Sequence, residues 1–197
     1  MKVVAFNGSP RRAGNTAEII NIVFEELAKH NIETELVQVG GIALRGCTSC
    51  YGCYKTKNKR CVITDDPVNE WIEKMVSADG IIFGSPVYFY DMTSEMKAFI
   101  DRAGFVGRAN GRMYSQKAGA AVAVLRRTGA AHTLDSMNHF FSIMQMYIVG
   151  GTNHVLADKI GDVIKDDEGV RSMKALGQNM AFLLKMKDAY FSRHHPE

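Results

Sequence analysis

Short apolar runs alternate with amphipathic helical stretches along most of the chain, and this alternation limits the fold more than any other feature. The first apolar run, residues 3–6, leads into a glycine, and Ile20, Val23, Phe24 and Leu27 then recur at helical spacing. The five segments predicted as strands are residues 3–6, 33–39, 81–83, 119–125 and 147–149. We therefore predict an α/β fold, a doubly wound five-stranded parallel sheet of order 2-1-3-4-5 with helices on both faces.

The length and the charge limit the possible functions. A chain of 197 residues suits one α/β domain, so we predict a single domain over residues 1–197 with a cysteine-rich loop at 46–64. A formal charge of +3 without a basic stripe argues against a nucleic-acid partner. The first apolar stretch, residues 1–7, is too short for a signal peptide or a membrane span. We therefore expect a cytoplasmic protein with no membrane partner.

The loop after the first strand has the composition of a phosphate-binding site. Its candidate contacts are Ser9, Arg11, Gly14, Asn15 and Thr16. Small residues let backbone amides approach an anion, the helix that follows adds its partial positive charge, and an arginine completes the neutralisation. The loop has neither a Walker lysine nor Gly-x-Gly-x-x-Gly spacing, which favours a mononucleotide phosphate. The alternative is an ordinary turn in which Ser9 or Asn15 caps the helix.

Two further loops follow strands at the same predicted edge of the sheet. Pro86, Val87, Tyr88 and Phe89 offer aromatic and backbone polar groups that suit a planar heterocycle such as a flavin ring. The same aromatic side chains could instead cover an edge of the core. The third loop contains Arg126, Thr128 and Gly129 and could close over the flavin from the other side. A solvated turn explains that loop equally well.

All four cysteines lie close together in the sequence, at Cys47, Cys50, Cys53 and Cys61. Structural disulfides are rare in the cytosol, and three thiols at every third residue of a tight loop favour a metal centre. Zinc sites usually combine two separate Cys-x2-Cys pairs, whereas a consecutive Cys-x2-Cys-x2-Cys run is typical of 4Fe-4S binding. A 4Fe-4S cluster is our prediction, with zinc and metal-free thiols as the alternatives.

Together these motifs, with residues 97–102, resemble the iron-sulfur flavoproteins among the flavodoxin-like NAD(P)H-dependent FMN reductases. The resemblance implies FMN, with its phosphate at Ser9, Arg11, Asn15 and Thr16, its ring beside residues 86–89 and a third contact near residues 126–130. It implies an oxidoreductase that passes electrons from NAD(P)H or ferredoxin to a small acceptor, and a homodimer or homotetramer. A cluster-free FMN or quinone reductase, a redox sensor and a zinc protein remain the alternatives.

Overall fold

The apolar runs of the sequence form the strands of one parallel sheet. A computed structural model describes residues 1–194, and all statements of structure below refer to these residues. The strands are β1 (Lys2–Asn7), β2 (Glu33–Gln38), β3 (Gly80–Pro86), β4 (Ala118–Leu125), β5 (Tyr147–Ile148) and β6 (His154–Leu156). The helices are α1 (Asn15–Ala28), α2 (Gly52–Thr56), α3 (Val68–Ser77), α4 (Ser94–Ala109), α5 (Ala130–Ile143) and α6 (Asp167–His194).

The strand order is β2-β1-β3-β4-β5, which confirms the predicted doubly wound topology. β1 pairs in parallel with β2 on one side and with β3 on the other, so the winding reverses beside β1. In such sheets ligands bind outside the carboxyl ends of the strands at this reversal. The loops after β1, β3 and β4 therefore meet at one edge of the sheet.

The edge strand differs from the prediction of five strands, because two short strands share that position. β5 pairs with the first half of β4, whereas β6 pairs with residues 123–125 at its end. Between them Asn153 adopts a left-handed backbone with φ of 51°, which interrupts an extended strand. The sequence prediction missed β6, which spans three residues.

Side chains that alternate along β1 fill two hydrophobic cores, one on each face of the sheet. Val4 and Phe6 point to the face covered by α3, α4 and α5, where Phe83 and Phe99 join an aromatic cluster. Val3 and Ala5 point to the face covered by α1 and α6. This two-sided burial explains why the central strands β1, β3 and β4 are mostly apolar, whereas the edge strand β2 is mostly polar.

The closing helix α6 runs from Asp167 to His194. It packs on α1, where a Cβ atom at Gly177 would lie 2.6 Å from the Cβ of Glu26. No helix within residues 1–194 is long and apolar enough to cross a bilayer. The predicted single domain also includes residues 195–197, which lie outside the described part of the chain.

Candidate flavin and cysteine sites

The loop between β1 and α1 presents an uncapped helix terminus at the carboxyl edge of the sheet. Gly14 is the N-cap residue and provides no side chain, and neither Ser9 nor Asn15 caps α1. The side chains of Ser9 and Thr16 are almost fully buried, while Arg11 lies at the surface. The amides of the first turn are therefore without a side-chain acceptor, as a phosphate-binding terminus requires.

Two buried or half-buried amide side chains fix the shape of this loop from below. The Asn7 Oδ1 accepts a hydrogen bond of 3.0 Å from the backbone N–H of Ser9. The Asn7 Nδ2 donates to the Oε1 of Gln38 at 2.9 Å, and the Gln38 Nε2 donates to the Ser9 carbonyl at 2.6 Å. We call the side chains of Asn7 and Gln38 the amide clamp. The clamp bonds to both backbone polar groups of Ser9, its N–H and its carbonyl.

Threonine 93, the N-cap residue of α4, joins the first loop to the second. Its hydroxyl donates to the carbonyl of Gly8 at 2.8 Å, and its backbone N–H donates to the Ser85 hydroxyl at 3.0 Å. The backbone N–H of Gly8 also donates to the carbonyl of Gly84 at 2.7 Å. The loops after β1 and β3 are thus fixed relative to each other before any ligand binds.

The Asn15 side chain has a different set of contacts from the one predicted. Its Nδ2 donates to the carbonyl of Lys159 at 2.8 Å, and its Oδ1 accepts a hydrogen bond of 2.9 Å from the backbone N–H of Gly161. The side-chain amide thus ties the phosphate loop to the segment after β6. A phosphate contact from Asn15 stays a prediction, and its backbone N–H is the group available for it.

A cavity of about 160 Å³ brings most of the predicted flavin contacts together. The predicted residues that line it are Ser9, Arg11, Asn15, Thr16, Pro86, Val87, Tyr88 and Arg126. Sequence reasoning did not predict Val124, Ala157 and Asp158, which also line it. The volume is below the roughly 300 Å³ of small ligand pockets, so part of a bound flavin would extend outside it.

Four predicted contacts, Gly14, Phe89, Thr128 and Gly129, do not line this cavity. Phe89 is fully exposed and has a φ of 46°. Gly129 precedes α5 with a φ of 98°, and a Cβ atom there would lie 2.8 Å from Val87 Cγ1. Gly129 therefore lets the third loop approach the second closely, and its contact with a flavin stays a prediction.

An exposed ion pair lies at the mouth of the cavity. The Arg126 Nε is 3.2 Å from the Asp158 Oδ1, and both side chains are more than half exposed. Exposed pairs of this kind contribute little to stability. Arg126 is therefore free to exchange Asp158 for a ligand anion at small cost. The carboxylate that it meets comes from the segment after β6, which the sequence prediction did not include.

The four cysteines line a second, smaller pocket formed by the loop at 46–64 and helix α4. All four are free thiols, and the pocket wall also includes Val62, Ile63, Phe105 and Val106. Left-handed backbone at Ser49, Tyr51, Lys57 and Lys59 folds the loop around it, with φ between 47° and 63°. The structure therefore brings together the side chains that were predicted to share one centre.

Four thiols around one pocket are the ligand set of a 4Fe-4S cluster and also of a structural zinc ion. Within residues 1–194 no three His, Cys, Asp or Glu side chains are arranged to hold a single metal ion. A hydrogen bond from the Gly52 backbone and one from Thr48 lower the pKa of Cys50, while burial raises the pKa of Cys53.

A buried arginine forms one wall of the cysteine pocket. The Arg102 side chain, on α4, has no exposed surface and forms an ion pair with Asp66. It also donates to the carbonyls of Arg45 at 3.3 Å and Ile63 at 3.1 Å. Burial alone would lower the pKa of Arg102, but hydrogen bonds with Asp66 and Cys61 outweigh burial and raise it. The sequence analysis gave this residue no separate role.

The sheet order and the uncapped phosphate loop together define a mononucleotide-binding protein of the flavodoxin-like fold. Residues 1–159 match the NADPH-dependent FMN reductase family. The chain belongs to this family, and it is an FMN-binding, flavin-dependent oxidoreductase.

Individual relatives agree with this assignment. The chain is 35% identical over 195 residues to an iron-sulfur flavoprotein of Methanocaldococcus jannaschii, covering 94% of this chain and 98% of that one. It is 28% identical to an iron-sulfur flavoprotein of Methanosarcina thermophila, over 94% and 96% of the two chains. These relatives confirm the resemblance drawn from the motifs.

Solved structures share the fold at low sequence identity. RosB, solved with bound 8-demethyl-8-formylriboflavin-5'-phosphate, has a TM-score of 0.76 and 16% identity, over all of this chain and 82% of that one. An NADH:FMN oxidoreductase in its apo form has a TM-score of 0.64 and 17% identity, over 94% and 89% of the two chains. These matches support the flavodoxin-like architecture.

Proposed function

We propose that this chain is an iron-sulfur flavoprotein, in which electrons from NAD(P)H or ferredoxin pass through FMN and a 4Fe-4S cluster to a small acceptor. The observation that carries the proposal is the meeting of Cys47, Cys50, Cys53 and Cys61 in one pocket as free thiols. Four thiolates are the usual ligands of such a cluster. The names of the two relatives that cover nearly the whole chain are consistent with it.

In this proposal the FMN phosphate lies on the uncapped start of α1. The backbone N–H groups of Asn15 and Thr16 and the hydroxyls of Ser9 and Thr16 would donate to it, while Arg11 supplies positive charge. Gly14, which has no side chain, leaves that approach open. The amide clamp keeps Ser9 in place, so the loop is arranged before the phosphate arrives.

The flavin ring would lie against the second loop. Pro86, Val87 and Tyr88 line the cavity and would flank the ring, and the exposed Phe89 would extend the apolar surface where the ring leaves the cavity. Arg126, Thr128 and Gly129 would close the opposite side. When bound, FMN supplies hydride and single-electron chemistry, while the protein sets its access and orientation.

The cysteine pocket would hold the cluster with one side against the protein. Val62, Ile63, Phe105 and Val106 would form that apolar side, while the exposed Cys50 lies toward solvent. The hydrogen bond from Gly52 and the one from Thr48 favour the thiolate form at Cys50, which is the form that binds metal.

The oligomeric part of the proposal is a homodimer or homotetramer. Tyr88, Phe89 and Tyr90 form an exposed aromatic surface beside the flavin cavity, and such surfaces commonly mark protein interfaces. Sedimentation of the FMN-loaded protein tests this directly. A monomer at micromolar concentration would contradict it.

Anaerobic purification followed by an ultraviolet-visible spectrum tests the cofactor proposal, with iron, sulfide and zinc assayed on the same sample. We expect flavin bands, broad absorption near 400 nm and about four iron atoms per chain. Cys61→Ser should lose most of the iron but retain FMN, and the matched variant Thr64→Ala, at an exposed position of the same loop, should retain both. Flavin without iron would indicate a cluster-free FMN reductase, and about one zinc per chain would indicate a zinc site.

A further inference from the structure

Arg102 is the one residue in the wall of the cysteine pocket that combines full burial with a positive charge. It comes from α4, whereas the four cysteines come from the loop at 46–64, so no local sequence pattern connects them. Its side chain shares the pocket wall with Cys61 and forms an ion pair with Asp66. The cation is thus held next to one of the four thiols.

The hydrogen bonds of the guanidinium leave its Nε–H without a partner among the described residues. Its terminal nitrogens bond to Asp66 and to the carbonyls of Arg45 and Ile63. The Nε–H is buried and has no hydrogen-bond partner among the described residues. Buried donors are nearly always paired, so an unpaired one at the wall of a pocket indicates an acceptor that binds there.

Charge balance gives this position a specific consequence. Asp66, whose side chain is 6% exposed, offsets much of the arginine charge. The pair therefore places a positive charge in the pocket wall and a negative charge outside the lining, in surroundings that screen both poorly. Reduction of a four-thiolate cluster adds one electron to a unit that is already anionic, and no bond breaks. A nearby cation favours that step, and a nearby anion opposes it.

We propose that the Arg102–Asp66 pair sets the reduction potential of the cluster, with Arg102 raising it through charge and a hydrogen bond to sulfur. This inference rests on the cluster proposed above. Arg102 is a positioning and tuning residue in this scheme, since it is not one of the four ligands.

The test is an anaerobic redox titration of the reconstituted protein with dithionite, with the reduced cluster followed by electron paramagnetic resonance. Arg102→Gln should lower the reduction potential by at least about 59 mV, which is a tenfold change in the equilibrium constant of a one-electron reduction. Asp66→Asn keeps the arginine and removes the opposing charge, so its potential should rise. The double variant should lie between the two, and Arg102→Lys should remain closer to the wild type than Arg102→Gln.

The matched control is Arg108→Gln, which removes the same charge from an exposed position on the same helix. Its potential should stay within measurement error of the wild type. If Arg102→Gln loses its iron, the upward shift of Asp66→Asn decides the question. Shifts of both variants in the same direction, or no shift, would overturn the inference while leaving the cluster proposal intact. A wild-type protein that binds no iron would overturn both.

Discussion

The amide clamp makes a quantitative prediction about FMN binding. Asn7→Ala removes the acceptor for the Ser9 N–H and the donor to Gln38 Oε1, which are bonds of 3.0 and 2.9 Å. Each partner left unpaired costs about 1–3 kcal/mol, and Gln38 is partly exposed, so we expect a total loss of roughly 2–4 kcal/mol in the free energy of unfolding. Urea unfolding of the apoprotein measures this loss.

The same change should weaken FMN more than riboflavin. The freed Ser9 must be ordered again when phosphate binds, which costs about 1–2 kcal/mol and corresponds to a roughly 5- to 30-fold rise in Kd. Riboflavin lacks the phosphate, so its Kd should change by less than about twofold. Flavin fluorescence quenching measures both values at a temperature where the apoprotein is folded.

Asn110→Ala provides the control, because Asn110 also makes two hydrogen bonds but at the end of α4, to Lys59 and Val106. It should lower stability without changing the FMN-to-riboflavin ratio. An Asn7→Ala protein that binds FMN as tightly as the wild type would refute the view that the clamp arranges the phosphate loop.

Three further predictions concern other parts of the fold. Gly129→Ala should lower the free energy of unfolding by about 1–2 kcal/mol, because φ is 98° at this position. Gly150→Ala should not lower it, because the space around Gly150 is open. Hydrogen bonds from Lys29 and Gln178 lower the pKa of Glu26. The ionised Glu26 therefore adds to the free energy of unfolding above about pH 4.3, and this stabilisation is lost as the pH falls. In Glu26→Gln, the free energy of unfolding measured with urea should change less between about pH 3 and 5 than in the wild type. The same pH dependence in both proteins would contradict this. Arg126→Gln should weaken FMN binding but change stability by less than about 1 kcal/mol, and unchanged FMN titrations would exclude the contact.

Much of the fold and part of the site could be predicted from the sequence because the signals were local. The fold class followed from apolar runs alternating with helical stripes, and the strand order from the usual winding of such sheets. The loop after β1 and the cysteines each lie within one short segment. Strand β6 at the edge was not predictable in this way, since a strand of three residues carries little periodicity.

The missing site residues are distant in sequence from the motifs that they support. Gln38 reaches Ser9 across 29 positions, and the Asn15 bond to Lys159 spans 144. Arg102 bonds to the carbonyl of Ile63, 39 positions away. Each of these is an ordinary polar residue in its own segment, and only the folded topology gives it a role.

The bonds between Asn15 and residues 159 and 161 also affect when the protein can acquire its cofactor during synthesis. Translation delivers the phosphate loop first and the segment that anchors it nearly last, at roughly 5–20 residues per second. A nascent chain shorter than about 161 residues has the loop without its anchor, whatever helices and strands it has already formed. We expect retention of FMN to increase once this segment has left the ribosome, and ribosome-stalled chains that expose residues 1–150 and residues 1–165 should differ in it.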